Sequence, residues 1–189
     1  DLLEIKWYGR GGQGVVTASQ LLAEVLMKEG MYALAIPMFG AERRGAPVIA
    51  YNRVSHEPVR RRGAVKEPDI LVIMDYKLSN MSGLIKGLKR GGLILVNAPL
   101  LPRGLEKSWF KVASVDATEI AVRYGLELGG LAIVSTPMLG ALLKVSGLAS
   151  FRSLEEIIKS HWEGESAWRN IRCAREAFSE VRGSWREGE

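Results

Sequence analysis

The sequence predicts one α/β domain, Rossmann-like, with a mostly parallel sheet covered by helices. Three observations predict it. An alternating segment, Leu2–Tyr8, runs straight into the glycine cluster Gly9-Arg10-Gly11-Gly12-Gln13-Gly14 and then into apolar residues at helical spacing. Two uninterrupted apolar runs, Asp69–Met74 and Leu93–Val96, have the character of strands buried on both faces. Helix-start signals follow such strands rather than further turns. With 189 residues and 47% apolar content the chain can bury one substantial core and is short for two full domains.

The elements follow in order. Leu3, Ile5 and Trp7 alternate with Glu4, Lys6 and Tyr8, as in a strand with one face more buried. From Gln13 to Glu29, Ala18, Leu22, Val25 and Leu26 mark a helix that Gly30 ends. Tyr32–Met38 and Pro47–Val54 read as strands joined by a loop, Phe39–Ala46, dense in charge and glycine. A helix is expected between Met74 and Leu93, and a strand at Trp109–Val115. Asp116 with Glu119 forms a capping box opening a helix through Tyr124. Thr136-Pro137 starts another, with proline at its first position, and Ser153 with Glu156 starts a third. The last helix, about 166–182, carries Trp168, Ile171, Ala174, Phe178 and Val181 on a stripe expected to face the core.

Composition excludes several functions. No apolar run approaches the roughly 20 residues of a membrane span, and no charged-then-apolar leader opens the chain at Asp1, so a soluble, cytoplasmic protein is expected. Cys173 is the only cysteine, which rules out an internal disulfide and a four-thiolate iron–sulfur cluster. His56 and His161 have no metal-ligand spacing around them, and no metal is expected. The net charge of +5 is dispersed, with short runs only at Arg43-Arg44 and Arg60-Arg61-Arg62. Without interleaved aromatics it reads as a solvated basic surface, not a nucleic-acid platform.

The cluster at Gly9–Gly14 satisfies G-x-G-x-x-G between a strand and a helix. Glycines let backbone approach a ligand, and the free N–H groups of a helix start favour an anion. A dinucleotide site also needs a carboxylate about 20 residues on, at the end of the second strand. That place holds Leu34-Ala35-Ile36-Pro37-Met38, and Glu42 comes only later, which weakens a nicotinamide or flavin reading. No Gly-Lys-Ser/Thr follows, so a P-loop is excluded. Two uses stay open: close strand–helix packing, or a ligand site to which Arg10 and Gln13 donate hydrogen bonds. The loop Phe39-Gly40-Ala41-Glu42-Arg43-Arg44-Gly45-Ala46 leaves a strand's carboxyl end and could stand beside it, gripping phosphate through Arg43 and Arg44 with Glu42 holding one of them. The alternative is an exposed turn with a weak ion pair.

No nucleophile elbow, zinc-protease motif or triad-like arrangement occurs, so no residue is assigned a catalytic role. Asp75, the one isolated carboxylate at a buried strand end, is expected to cap the following helix. A glycine-rich ligand edge without a catalytic set points to a subunit or a binding module.

Five motifs stand in a familiar order: W-Y-G-R-G-G-Q-G (Trp7–Gly14), F-G-A-E-R-R-G-A-P-V (Phe39–Val48), E-P-D-I-L-V (Glu67–Val72), V-D-A-T (Val115–Thr118) and T-P-M-L-G-A (Thr136–Ala141). In them the chain resembles gamma subunits of 2-oxoacid:ferredoxin oxidoreductases, such as pyruvate synthase, from about Ile5 to Ala177. The resemblance implies coenzyme A-dependent oxidative decarboxylation of pyruvate or a related 2-oxoacid, with ferredoxin as electron acceptor. It implies alpha-, beta- and delta-type partners, with thiamine diphosphate, Mg and [4Fe–4S] clusters in those other subunits. It assigns a coenzyme A-side or interface role to Gly9, Arg10, Gly11, Gly12, Gln13 and Gly14, and to Phe39, Gly40, Glu42, Arg43, Arg44 and Gly45. Ser135 stands where the family often has Asn and is expected to cap equally well; Pro99–Lys107 matches no family pattern and reads as a surface loop. The alternative is a stand-alone nucleotide-binding regulatory domain.

Overall fold

The computed structural model describes residues 1–38, 46–77, 81–105 and 109–183. Strand β1 (Leu3–Arg10) leads through the glycine turn into helix α1 (Val15–Lys28), and β2 (Tyr32–Met38) and β3 (Pro47–Ser55) follow as an antiparallel pair. β4 (Ile70–Ile73), α2 (Met81–Lys86), β5 (Leu93–Asn97), β6 (Lys111–Val115) and α3 (Ala117–Arg123) continue in α/β alternation. A two-residue-per-strand hairpin, β7 (Glu127–Leu128) and β8 (Leu131–Ala132), precedes α4 (Ser135–Ser146), α5 (Phe151–His161), α6 (Gly164–Glu180) and the terminal β9 (Arg182–Gly183).

The main sheet has the order β2-β3-β1-β4-β5-β6-β9. β1, β4, β5 and β6 form a parallel core, with Trp7 beside Val72 and Val72 beside Leu95. β3 lies antiparallel to β1 and β2 antiparallel to β3, so β2 points the same way as the core strands, and β9 closes the far edge antiparallel to β6. The mostly parallel, Rossmann-like sheet is present, with an antiparallel hairpin as one wing.

Helix coverage is unequal. Ile5, Trp7, Ala50, Val72, Leu95 and Ala113 face α1 and α3–α6 in the larger core, while Tyr8, Leu71, Ile73, Ile94 and Val96 face Leu84 of α2 and the Ala98–Leu105 segment. Both faces of β4 and β5 are sealed, which is why these runs carry no polar interruption. Two buried polar residues hold the wing. Asn52 accepts a hydrogen bond from Trp7 Nε1 at 2.7 Å and donates to the carbonyls of Ser19 and Leu34 at 2.9 and 3.0 Å, joining β1, β3, α1 and β2. Arg53, 1% exposed, meets Glu4 at 2.7 Å and donates to the carbonyls of Arg61, Gly63 and Ala64, so its buried charge is both paired and solvated by backbone.

Helix starts agree with the sequence expectation at α3 and differ from it at α4 and α5. Asp116 caps α3 through the Glu119 N–H at 3.0 Å, as the capping-box pattern predicts. α4, however, begins at Ser135, so Pro137 is its third residue; its missing N–H still falls in the first turn, where no intrahelical partner exists. The cap position is Val134, and Ser135 makes no cap bond there. α5 is capped by Ser150, whose Oγ accepts from the Ser153 N–H at 3.2 Å, three residues before the expected start, and Glu156 pairs instead with Lys28 at 2.9 Å.

The stripe on α6 is also rotated. Ala167, Asn170, Cys173, Ala174 and Ala177 are buried, whereas Trp168 is 54% exposed and packs edge-on against Tyr124. Small residues face inward because α4 crosses closely: a Cβ on Gly140 would overlap the Ala174 carbonyl. Of the expected stripe, Ala174 and Val181 are buried and Ile171 packs against the core, while Trp168 turns outward and small residues fill the closest contact with α4.

Candidate functional site at the carboxyl ends of the strands

The carboxyl ends of β1, β4, β5 and β6 open on one edge, the place where open α/β sheets hold ligands. The glycine turn occupies it after β1. Gly9 has no room for a side chain: a Cβ would lie 2.7 Å from Val15 Cγ2 and 3.1 Å from Met74 Cβ. Gly14, at φ 94°, turns the chain into α1. The glycines therefore serve close packing, and they also bare the first N–H groups of α1, which carries no acidic residue in its first turn.

The turn is locked by polar side chains. Gln13, 5% exposed, accepts from the Arg10 N–H at 2.7 Å and donates from Nε2 to Asp75 at 3.3 Å. Arg10 Nε lies 2.8 Å from Asp75 Oδ2, an ion-pair contact not aligned as a hydrogen bond. The other oxygen of Asp75 accepts from the Lys77 N–H at 3.0 Å. Asp75 therefore does not open a helix: Tyr76 and Lys77 after it form a turn, and its charge is spent on the glycine turn. Asn97, at the end of β5, donates to the Met74 carbonyl and Thr118 Oγ1, both at 2.9 Å, and accepts from the N–H groups of Ala117 and Thr118, tying β4, β5 and α3 together at this edge. The Val134 N–H donates to the Gln13 carbonyl at 3.0 Å, bringing the start of α4 against the same turn.

Two clefts flank Arg10 and Leu131. One, about 750 Å³, runs over Gly11, Gly12, Gly14 and the α1 residues Val15–Thr17, walled by Val48, Leu128, Leu131 and Ile133. Arg10 is the only charged residue lining it among the described residues. The other, about 690 Å³, lies over β4–β6 and is lined by the carboxylates of Asp75, Asp116, Glu119 and Glu127 against Arg10, Lys77 and Arg123. An anion is favoured in the first and opposed by carboxylates in the second. The β7–β8 hairpin divides them, and its Leu128 is 73% exposed.

Gly9, Arg10, Gly11, Gly12, Gln13 and Gly14 thus come together at one edge. Phe39, Gly40, Glu42, Arg43, Arg44 and Gly45 lie outside the described residues. Their flanks do not: Met38 ends β2 at this edge, and the Ala46 carbonyl accepts from the Gly11 N–H at 3.0 Å. Sequence reasoning missed Asn97 and the Leu128–Leu131 hairpin, and gave Asp75 the wrong partner; its position at a strand end was the available signal.

Residues 4–180 match the pyruvate ferredoxin/flavodoxin oxidoreductase family. The chain belongs to this family. It is similar, at 43% identity over 95% of this chain and 97% of the relative, to the pyruvate/ketoisovalerate oxidoreductases common subunit gamma of Thermococcus litoralis. Pyruvate synthase subunit PorC of Methanothermobacter marburgensis is 42% identical over 97% of this chain and 99% of its own length. The crystal structure of the pyruvate oxidoreductase subunit PORC of Thermotoga maritima superposes with a TM-score of 0.84 at 36% identity, covering 97% of this chain and 98% of that one. The chain is a gamma-type subunit of a 2-oxoacid:ferredoxin oxidoreductase. Within this gamma-type chain the only cysteine, Cys173, is buried on α6, and burial pushes its thiol up to about 12.

Proposed function

We propose that this subunit forms the coenzyme A side of an enzyme that oxidatively decarboxylates pyruvate or a branched 2-oxoacid, assembling with alpha-, beta- and delta-type chains in the cytoplasm and passing electrons to ferredoxin. Thiamine diphosphate, Mg and the [4Fe–4S] clusters belong to those partners in this reading, and coenzyme A is the co-substrate. The observation that carries it is the hydrogen bond from the Gly11 N–H to the Ala46 carbonyl, which joins the ends of the two glycine-rich motifs beside a cleft whose one lining charge among the described residues is Arg10. Coenzyme A matches such a cleft in two ways. Its phosphates suit Arg10 and the N–H groups at the start of α1, and its pantetheine arm suits the wall of Val48, Leu131 and Ile133. Arg43 and Arg44 supply further cations to the phosphates.

Arg43→Ala and Arg44→Ala, each in the assembled enzyme, test this. Loss of a charge-assisted contact costs about 1.5–3 kcal/mol, so at least one apparent KM for coenzyme A should rise about ten- to a hundredfold while that for the 2-oxoacid holds. Unchanged values in both variants, with assembly intact, contradict the assignment of these residues.

A further inference from the structure

We infer that Asp75 is a positioning residue for Arg10, holding its guanidinium from the Nε side so that the two terminal nitrogens face a ligand's phosphate unencumbered. The inference rests on the coenzyme A reading above. An arginine held bidentately by a carboxylate spends a terminal nitrogen on it. Arg10 does not: its one contact with Asp75 is through Nε, at 2.8 Å, without hydrogen-bond alignment. Its terminal nitrogens have no partner among the described residues, and its side chain is 36% exposed.

Asp75 is in contrast fully employed, its side chain 12% exposed. Lys77 N–H fixes one oxygen and Gln13 Nε2 the other, while Gln13 Oε1 holds the Arg10 N–H. Gln13 and Asp75 thus restrain Arg10 at both its backbone and the root of its guanidinium. The cost in side-chain entropy of ordering an arginine is met before any ligand arrives, which raises affinity. The same carboxylate also lowers the positive potential of the site. The two effects have opposite signs, and substitution separates them.

The test uses the assembled enzyme, assayed for viologen reduction with a saturating 2-oxoacid and either coenzyme A or pantetheine, which has the thiol arm and no phosphate. Arg10→Gln should raise the apparent KM for coenzyme A about tenfold, which is about 1.4 kcal/mol, and leave those for pantetheine and the 2-oxoacid unchanged. Asp75→Asn should give a similar rise for coenzyme A alone and add nothing in the Arg10→Gln background. Asp75→Glu, which keeps the charge, should recover part of the loss; it also serves as the second variant if Asp75→Asn does not assemble, a smaller rise confined to coenzyme A supporting the role.

A coenzyme A constant that is unchanged or lower in Asp75→Asn, or additive effects in the double variant, overturns positioning while leaving the site intact. Should Asp75→Glu be the only variant to assemble, an unchanged constant overturns it equally. If Arg10→Gln itself leaves the coenzyme A constant unchanged, the coenzyme A reading of this cleft fails and the inference with it.

Discussion

Glu29, the residue after α1, shows how single side chains join distant elements. It accepts three hydrogen bonds from the cap and first turn of α5: the Ser150 N–H at 2.9 Å, Ser150 Oγ at 3.0 Å and Ser153 Oγ at 2.8 Å. These, the Ser150 backbone bond first, hold its carboxyl below the usual range. Because the folded pKa is depressed, the stabilisation is fully present above the unfolded value of about 4.3 and is lost as pH falls through the folded value. Glu29→Gln should therefore lose less stability than wild type between about pH 5 and pH 3, measured by thermal unfolding across that window. An equal loss in both would assign the pH dependence to other carboxylates. Cys173 gives a second residue-scale expectation. With its thiol pushed up to about 12 by burial, it should resist iodoacetamide at neutral pH in the folded chain and react on denaturation. Labelling of the native chain at the rate of a free thiol would contradict its burial. Asp75 belongs to this scale too. Its strand-end position was legible in the sequence, but its partner Gln13 is 62 residues away, and local spacing carries no information about that.

At the scale of elements, what a segment does locally was readable and what its neighbour requires was not. The strand at Ile70–Ile73 and the capped start of α3 follow from runs and caps that lie within a few residues. The face that α6 buries depends on α4. Trp168 obeys helical spacing, yet the close crossing of Gly140 over Ala174 favours small residues such as Cys173, Ala174 and Ala177 beneath the helix and leaves Trp168 outside, while Phe178 packs edge-on against Phe151. Gly140→Ala should force these helices apart at a cost of about 1–3 kcal/mol or more, read as a lower unfolding temperature of the chain. Wild-type stability in that variant would mean the helices can separate freely. The start of α4 was misplaced for a related reason: it is set by the Val134 N–H bonding to the Gln13 carbonyl, a tertiary contact, and not by Thr136-Pro137.

At the scale of the whole molecule, the fold gathers at one edge features that are scattered along the chain. The glycine turn, Asp75, Asn97, Asp116, the start of α4 and the residues Met38 and Ala46 all reach the carboxyl ends of the strands. The glycine turn was legible because its residues are written contiguously; the polar lock and the dividing hairpin were not, since they arise only when β4, β5 and α4 are brought together. As a gamma-type subunit, the chain brings this edge to a 2-oxoacid:ferredoxin oxidoreductase. The most direct test is amide hydrogen exchange in the assembled enzyme with and without coenzyme A. Slower exchange at Gly9–Thr17 on adding coenzyme A, with no change at Phe151–Glu180 on the far helices, is the predicted result. Protection that leaves Gly9–Thr17 unaltered while appearing elsewhere in the complex would contradict the account.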